Sequence, residues 1–226
     1  NFMQKKLRKH INDIQLSIER ASKETLNRSD EVTLIAVSKK KSIEHIKYAY
    51  EIGIRNFGEN YAQELEEKVK KLNFENMIWH FIGPLQSNKA KIISKNAHWI
   101  HSLDREKIAN KVNSECNNLN KKINGCIQVN ISEESSKYGL RPKELLDFAD
   151  HVKSLENINL KGIMVLPSLT GNVEEQMINS KKLHDKLIES HPEATYLSMG
   201  TTNDFESAIK FGSNMVRIGE LIFGKR

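Results

Sequence analysis

The sequence predicts an α/β protein built as a (β/α)8 barrel of the TIM type. Three observations carry this prediction. Eight short β-branched or apolar runs recur along the chain, longer amphipathic segments lie between them, and 226 residues is a length that one barrel can use. An open sheet of the same elements is the alternative. No internal repeat, low-complexity tract or Pro/Gly-rich linker divides the chain, and four prolines leave little room for one. Residues 1–226 therefore read as one barrel domain, of which 1–28 form an N-terminal helical arm.

The arm comes first. Leu7, Ile11, Ile14, Ile18 and Ala21 recur at helical spacing, so a helix is expected over Met3 to Leu26. Asn1 and Phe2, ahead of Met3, read as a non-native remnant. The first strand is expected at Val32 to Val37, followed by a helix over Ser42 to Ile52. Arg55 to Gly58 and Ile78 to Ile82 are the next strands, separated by a helix over Tyr61 to Leu72. A short helix over Lys89 to Lys95 leads to the strand Trp99 to Ser102. A helix over Asp104 to Leu119 leads to the strand Cys126 to Ile131. The last third repeats the alternation: helix Pro142 to Leu155, strand Gly162 to Leu166, helix Val173 to Glu189, strand Tyr196 to Met199, helix Asn203 to Phe211 and strand Met215 to Ile218. Ser, Asn or Asp at several of these helix starts supplies a side-chain cap for the first turn.

Composition excludes several classes. With 38% apolar and 28% charged residues the chain can bury a core, so a disordered or fibrous protein is not expected. The mean hydropathy of −0.56 reflects many Lys and Asn residues, and the apolar runs are strand-sized, so no membrane span is expected. The net charge of +6 favours anionic ligands. Lysine supplies 27 of the 35 cationic side chains and is scattered, without the arginine stripes and interleaved aromatics of a nucleic-acid surface. Cys116 and Cys126 fit neither a metal site nor a disulfide framework and suit a reducing cytoplasm. The N-terminal segment lacks the apolar stretch of a secretory signal.

In a barrel of this kind ligand chemistry gathers at the C-terminal ends of the strands. Lys39 closes the run from Val32. A lysine at an apolar barrel mouth is partly desolvated, which lowers its pKa and suits its amine to a Schiff base, although taken alone Lys39, Lys40 and Lys41 read more readily as a solvated charge run. Asn60, after Asn56-Phe-Gly-Glu, reads by itself as a helix cap first and as a ligand-binding residue second. His80 reads as a core histidine, and Gln86, Asn88 and Lys89 as a polar helix start. The eight histidines show no metal-ligand spacing. The segment Ser198-Met-Gly200-Thr201-Thr202-Asn203-Asp204 places small and hydroxyl residues ahead of a helix, where backbone N–H groups favour phosphate. Arg217 and Gly219 stand at the end of the last strand.

Taken in order, Ala36-Val37-Ser38-Lys39, Phe57-Gly58-Glu59-Asn60-Tyr61, His80-Phe81-Ile82-Gly83-Pro84-Leu85-Gln86-Ser87-Asn88-Lys89, Asn130-Ile131-Ser132, Ser198-Met199-Gly200 and Met215-Val216-Arg217-Ile218-Gly219 resemble one family. It is the pyridoxal 5'-phosphate (PLP) homeostasis family, also called YggS-like or proline synthetase co-transcribed homologue proteins. The resemblance runs from the opening helix to the last residues. It implies a barrel like the alanine racemase N-terminal domain with an extra N-terminal helix. PLP would sit at the strand ends, with Lys39 as the aldimine lysine and Asn60 near the ring substituents. Ser198, Gly200, Thr201 and Gly219 would belong to the phosphate cup, and Arg217 would face the pyridine nitrogen. Ser136-Lys137-Tyr138-Gly139-Leu140 also resembles a family loop, with Lys137 near the cofactor mouth. Many relatives carry Met-Ser where this chain has Thr201-Thr202.

The function so implied is PLP binding and cellular PLP homeostasis without turnover, in the cytoplasm, with PLP-dependent apoenzymes as recipients. A monomer is expected, with a dimer as the alternative. A PLP-dependent racemase is the second reading and a basic nucleic-acid module the third. Against the racemase stand the few residues beyond Arg217, which leave no second domain for an opposite-face base, and the arginine at the ring nitrogen.

Overall fold

The computed structural model describes residues 1–25, 28–135 and 138–225. Eight parallel strands pair in chain order and close on themselves: β1 (Thr33–Val37), β2 (Asn56–Glu59), β3 (Ile78–Phe81), β4 (Trp99–Leu103), β5 (Ile123–Val129), β6 (Ile158–Val165), β7 (Tyr196–Ser198) and β8 (Met215–Ile218). Closure is made by β1 and β8, with Thr33 in register with Met215 and Ala36 with Ile218. This is the (β/α)8 barrel expected from the sequence.

The helices that return the chain are α1 (Phe2–Lys23), α2 (Ile43–Ile52), α3 (Ala62–Lys71), α4 (Ala90–Asn96), α5 (Glu106–Asn118), α6 (Leu145–Ser154), α7 (Val173–Ser190), α8 (Phe205–Lys210) and α9 (Glu220–Phe223). Helix α1 buries Leu7, Ile11, Ile14 and Ala21 on one face, the leucine and isoleucines each worth about 1.5–3 kcal/mol over leaving them in water. That face packs on α2, α8 and α9, so the arm covers the seam where the last strand meets the first. A ring nitrogen of His10 lies 3.0 Å from the Ile222 carbonyl oxygen across the same contact.

Alternate strand residues face opposite sides of the sheet. Ala36, Phe57, Phe81, Ile100 and Ile127 join the helices in the main core. Ile35, Trp99, Cys126, Met164 and Met215 have the other parity and form a smaller apolar cluster within the barrel.

Several boundaries differ from the sequence expectation for identifiable reasons. β5 begins at Ile123 because Asn124 and Gly125, a turn-like pair, lie inside the strand; a Cβ on Gly125 would approach Leu103 Cδ1 to 2.7 Å. β6 begins at Ile158, where polar Asn159 and Lys161 alternate with buried Ile158 and Leu160. The opening helix ends at Lys23, and Leu26 lies outside the described residues. Asn1 is part of the fold as the N-cap of α1, its side-chain oxygen accepting from Met3 N–H at 3.0 Å. Helix α8 is six residues, shorter than expected, and α9 carries no periodic signal because it is four residues long.

Two glycines separate steric from conformational constraint. Gly162 in β6 has φ 156°, and a Cβ there would lie 1.7 Å from the Tyr196 carbonyl oxygen of β7. Gly53, which ends α2, has φ 120° but open space around it. Gly162→Ala is expected to lower stability by about 3 kcal/mol or more, and Gly53→Ala by about 1 kcal/mol. Urea unfolding of both variants checks this; equal losses would show that strand contact is not what fixes Gly162.

Candidate functional site

At the C-terminal ends of the strands lies a cavity of about 580 Å³. Lys39 after β1, Asn60 after β2, Thr201 and Thr202 after β7, and Arg217 and Gly219 on and after β8 all line it. Residues from the two extremes of the chain meet here because β1 pairs with β8. Val37, Ile82 and Leu166 supply the apolar part of the wall, and Lys41 and Glu220 stand at its edge.

The turn that presents Lys39 is fixed from beneath by a buried charged cluster. Ser38 N–H donates to Gly58 O at 3.0 Å, and Ser38 Oγ donates to Glu59 Oε2 at 2.5 Å. Lys68 of α3 donates to Ser38 O at 2.7 Å, to Glu59 Oε1 at 2.8 Å and to Glu64 Oε1 at 2.7 Å. Glu64 also accepts from Lys40 N–H. Lys40 is held at φ 59°, a left-handed conformation uncommon for a side-chain-bearing residue. Burial raises the Glu59 pKa to about 7, outweighing the opposing pull of Lys68 and Ser38. Lys39 is half-buried beside this cluster.

Two polar atoms of the cavity residues are buried without a hydrogen-bond partner among the described residues: Asn60 Oδ1 and Arg217 Nε. Buried polar groups are rarely left so, and at the wall of an open cavity both atoms are available to a ligand. Asn60 is not a helix cap, since Tyr61 takes that position in α3 without a side-chain bond. Arg217 is anchored by Nη2 donating to Val165 O at 2.9 Å. Burial pushes its pKa down to about 10, which leaves it cationic at neutral pH. An amine, an amide acceptor and a guanidinium donor around a partly apolar cavity suit a small anionic heteroaromatic aldehyde. PLP has that chemistry, so the residues present fit the cofactor.

The remaining expected residues are arranged differently. Ser198 and Gly200 are buried behind the cavity wall and are not part of its lining. Thr201 lines the cavity, but its N–H donates to Asp204 Oδ1 at 2.7 Å, which fixes the turn into α8. Lys137 lies outside the described residues. His80 is a fully buried interior histidine. Sequence reasoning did not find the Glu59–Lys68–Glu64 cluster, although Glu64 and Lys68 stand one helical turn apart. It also did not single out His101, which packs beside His80 at a ring-centroid distance of 5.1 Å. Among the described residues no group of His, Cys, Asp or Glu side chains could hold a metal ion, and no helix is long and apolar enough to cross a membrane.

Comparison with known proteins agrees with this architecture. The family model for the alanine racemase N-terminal domain matches residues 17–226. The pyridoxal phosphate homeostasis protein of Haemophilus influenzae is 43% identical over 224 residues, covering 96% of this chain and 94% of that protein. That of Pasteurella multocida is 41% identical, covering 97% of each. Among solved structures, PipY of Synechococcus elongatus with PLP bound superimposes with a TM-score of 0.84 at 27% identity, over 96% of this chain and 100% of that one. An alanine racemase of Clostridium difficile shares the fold, with a TM-score of 0.77 at 16% identity over 98% of this chain and 57% of the racemase.

The buried histidines make a pH prediction. Desolvation lowers the His80 pKa from 6.5 to about 3 and lowers that of His101 well below 6.5. The unfolded chain therefore takes up protons below pH 6.5 that the folded chain refuses, and stability falls as pH drops through that range. Glu59 acts in the opposite sense, its penalty growing as pH rises from 4.5 to about 7. The urea midpoint of the wild type is expected to decline from pH 6.5 towards about pH 4. In His101→Gln the decline should be shallower, whatever the variant's stability at neutral pH. An equal slope would show that His101 is not a source of acid lability.

Proposed function

Because the chain belongs to the alanine racemase N-terminal-domain family, and within it to the pyridoxal phosphate homeostasis proteins, we propose that it binds PLP in the strand-end cavity and holds it without turnover. The observation that carries this reading is the convergence, in one cavity, of Lys39, Asn60, Arg217 and Gly219, two of them bearing buried unpartnered polar atoms. When bound, PLP supplies an aldehyde that condenses with a primary amine and a dianionic phosphate that seeks N–H donors.

Each residue then has a definite task. Lys39 offers the amine, and the Ser38–Glu59–Lys68 bonds keep its turn in place. Asn60 offers an acceptor to the ring substituents. Arg217 would face the ring nitrogen as a donor, and since it remains protonated at neutral pH it would not pass its proton on. A ring nitrogen that stays unprotonated is a weak electron sink, which disfavours bond breaking at an amino-acid α-carbon. This supports a carrier rather than a racemase or transaminase. Gly219, with Thr201 and Thr202 across the cavity, lets backbone approach the phosphate. The buried, unpaired thiols of Cys116 and Cys126 support a reducing cytoplasm as its location, and PLP-dependent apoenzymes would be the recipients.

Borohydride reduction of the PLP-loaded protein followed by peptide mapping should place the pyridoxyl group on Lys39, and Lys39→Ala should lose the visible absorption band. Labelling mainly at Lys89 or Lys137 would refute the assignment. Racemase, transaminase and decarboxylase turnover should stay far below about 1 per second; sustained turnover of a common amino acid at that rate would make the protein an enzyme.

The two ends of the cofactor should respond unequally. A side chain at Gly219 would press on Val37, whose carbonyl oxygen lies 3.3 Å from the Cβ position, and would enter the cavity. Arg217→Gln removes one charged donor, worth about tenfold in affinity. Gly219→Val should weaken PLP binding more than that, as measured by equilibrium dialysis. Normal binding by Gly219→Val together with none by Arg217→Gln would contradict a phosphate-dominated site.

A further inference from the structure

A line of hydrogen bonds runs through the barrel interior behind the cavity wall. Asn56 Oδ1 at the start of β2 is 2.8 Å from His80 Nε2 on β3. His80 Nδ1 is 2.9 Å from His101 Nε2 on β4, and His101 Nδ1 is 2.9 Å from Ser198 Oγ at the end of β7. His80, His101 and Ser198 are fully buried, and Trp99 stacks on the His80 ring with centroids 5.4 Å apart. Asn56 is half-buried and borders a shallow depression lined by Glu31 and Thr33, on the side where the strands begin. The line therefore connects the two ends of the barrel.

Its polarity follows from elementary donor and acceptor rules. Burial keeps both imidazoles neutral, so each has one N–H donor and one lone-pair acceptor. In the orientation that Asn56 takes here its amide oxygen faces His80 and can only accept, which places the hydrogen of His80 on Nε2. His80 Nδ1 is then an acceptor, so His101 carries its hydrogen on Nε2. His101 Nδ1 is in turn an acceptor, and the Ser198 hydroxyl must donate to it. One acceptor at the far end thus sets the direction of every bond in the line.

We infer that Asn56, His80 and His101 are positioning residues that commit the Ser198 hydroxyl hydrogen to the barrel interior, so that Ser198 braces the Met199–Thr201 turn instead of donating to an anion in the cavity. The identity of that anion as the PLP phosphate rests on the function proposed above; the direction of the bonds does not. The phosphate must then be held by backbone N–H groups and by cations, without the Ser198 hydroxyl.

Nitrogen-15 spectra of the imidazoles in the full, ligand-free chain test the direction. His80 and His101 should both be protonated on Nε2. Asn56→Asp keeps the acceptor and should preserve that pattern, whereas Asn56→Leu removes it and should populate the Nδ1-protonated form of His101. A wild-type His101 protonated on Nδ1, or an unchanged His101 in folded Asn56→Leu, would overturn the inference. PLP affinity gives an independent reading that does not depend on Asn56 variants folding. Ser198→Ala should bind PLP within about threefold of the wild type, the scale of an indirect loss, and a drop of more than about tenfold at unchanged thermal stability would overturn the inference. A wild-type chain that shows both Nε2-protonated rings yet binds no PLP would support the line of bonds and refute only the cofactor reading.

Discussion

The pairing of β1 with β8 is the constraint on which the site depends. Four residues of β1 align with four of β8, so Lys39 and the Arg217–Gly219 segment become neighbours although they stand at opposite ends of the sequence. Because every strand is parallel, every strand end falls on the same face, and the cavity can draw on β1, β2, β3, β6, β7 and β8 together. Helix α1 lies over this closure through α2, α8 and α9. Loosening that seam would separate the amine from the guanidinium before it disturbed most of the core.

Polar groups inside the barrel follow a division of labour. Part of the interior is filled by Ile35, Trp99, Cys126, Met164 and Met215, which form an apolar cluster. Through and above it run two polar systems that are satisfied internally: the Asn56–His80–His101–Ser198 line and the Ser38–Glu59–Lys68–Glu64 cluster. Each ends at a turn that carries cavity residues, the first at the turn after β7 and the second at the turn after β1. A fully paired buried network is rigid because any displacement leaves a desolvated group without a partner. Such networks hold loops that an apolar barrel filling would leave to local backbone preference.

The sequence carried the fold and part of the site, and the physical reason for each success or miss is specific. Strands such as β1 were legible because parallel strands buried on both faces read as continuous apolar runs, as Val32 to Val37 does. The same property hid which residues face inward: without alternation, His101 in Trp99-Ile-His-Ser looks no different from an outward residue. Lys39, Asn60, Arg217 and Gly219 were legible because each follows or ends a strand. Ser198 and Gly200 satisfy the same rule yet sit behind the wall, since β7 ends at Ser198 and the chain passes inward before Thr201 reaches the cavity. The Glu59–Lys68 pair joins a strand end to a helix nine residues on, a contact that no local pattern announces. Helix α9 was invisible because four residues are too few to show a period.

The cavity face also concentrates features that do not favour the folded chain by themselves. Asn60 Oδ1 and Arg217 Nε are desolvated without partners, Arg217 holds its charge against a strong burial penalty, and Lys40 sits at a positive φ. Deeper in the barrel, Ile35, Trp99 and Met215 pack as an apolar cluster. Groups left unsatisfied in the free protein gain most from a ligand that supplies the missing donors and acceptors, because their desolvation has already been incurred. A site prepared in this way binds through interactions the protein cannot make with itself. The two internal networks beneath it are made by protein groups alone.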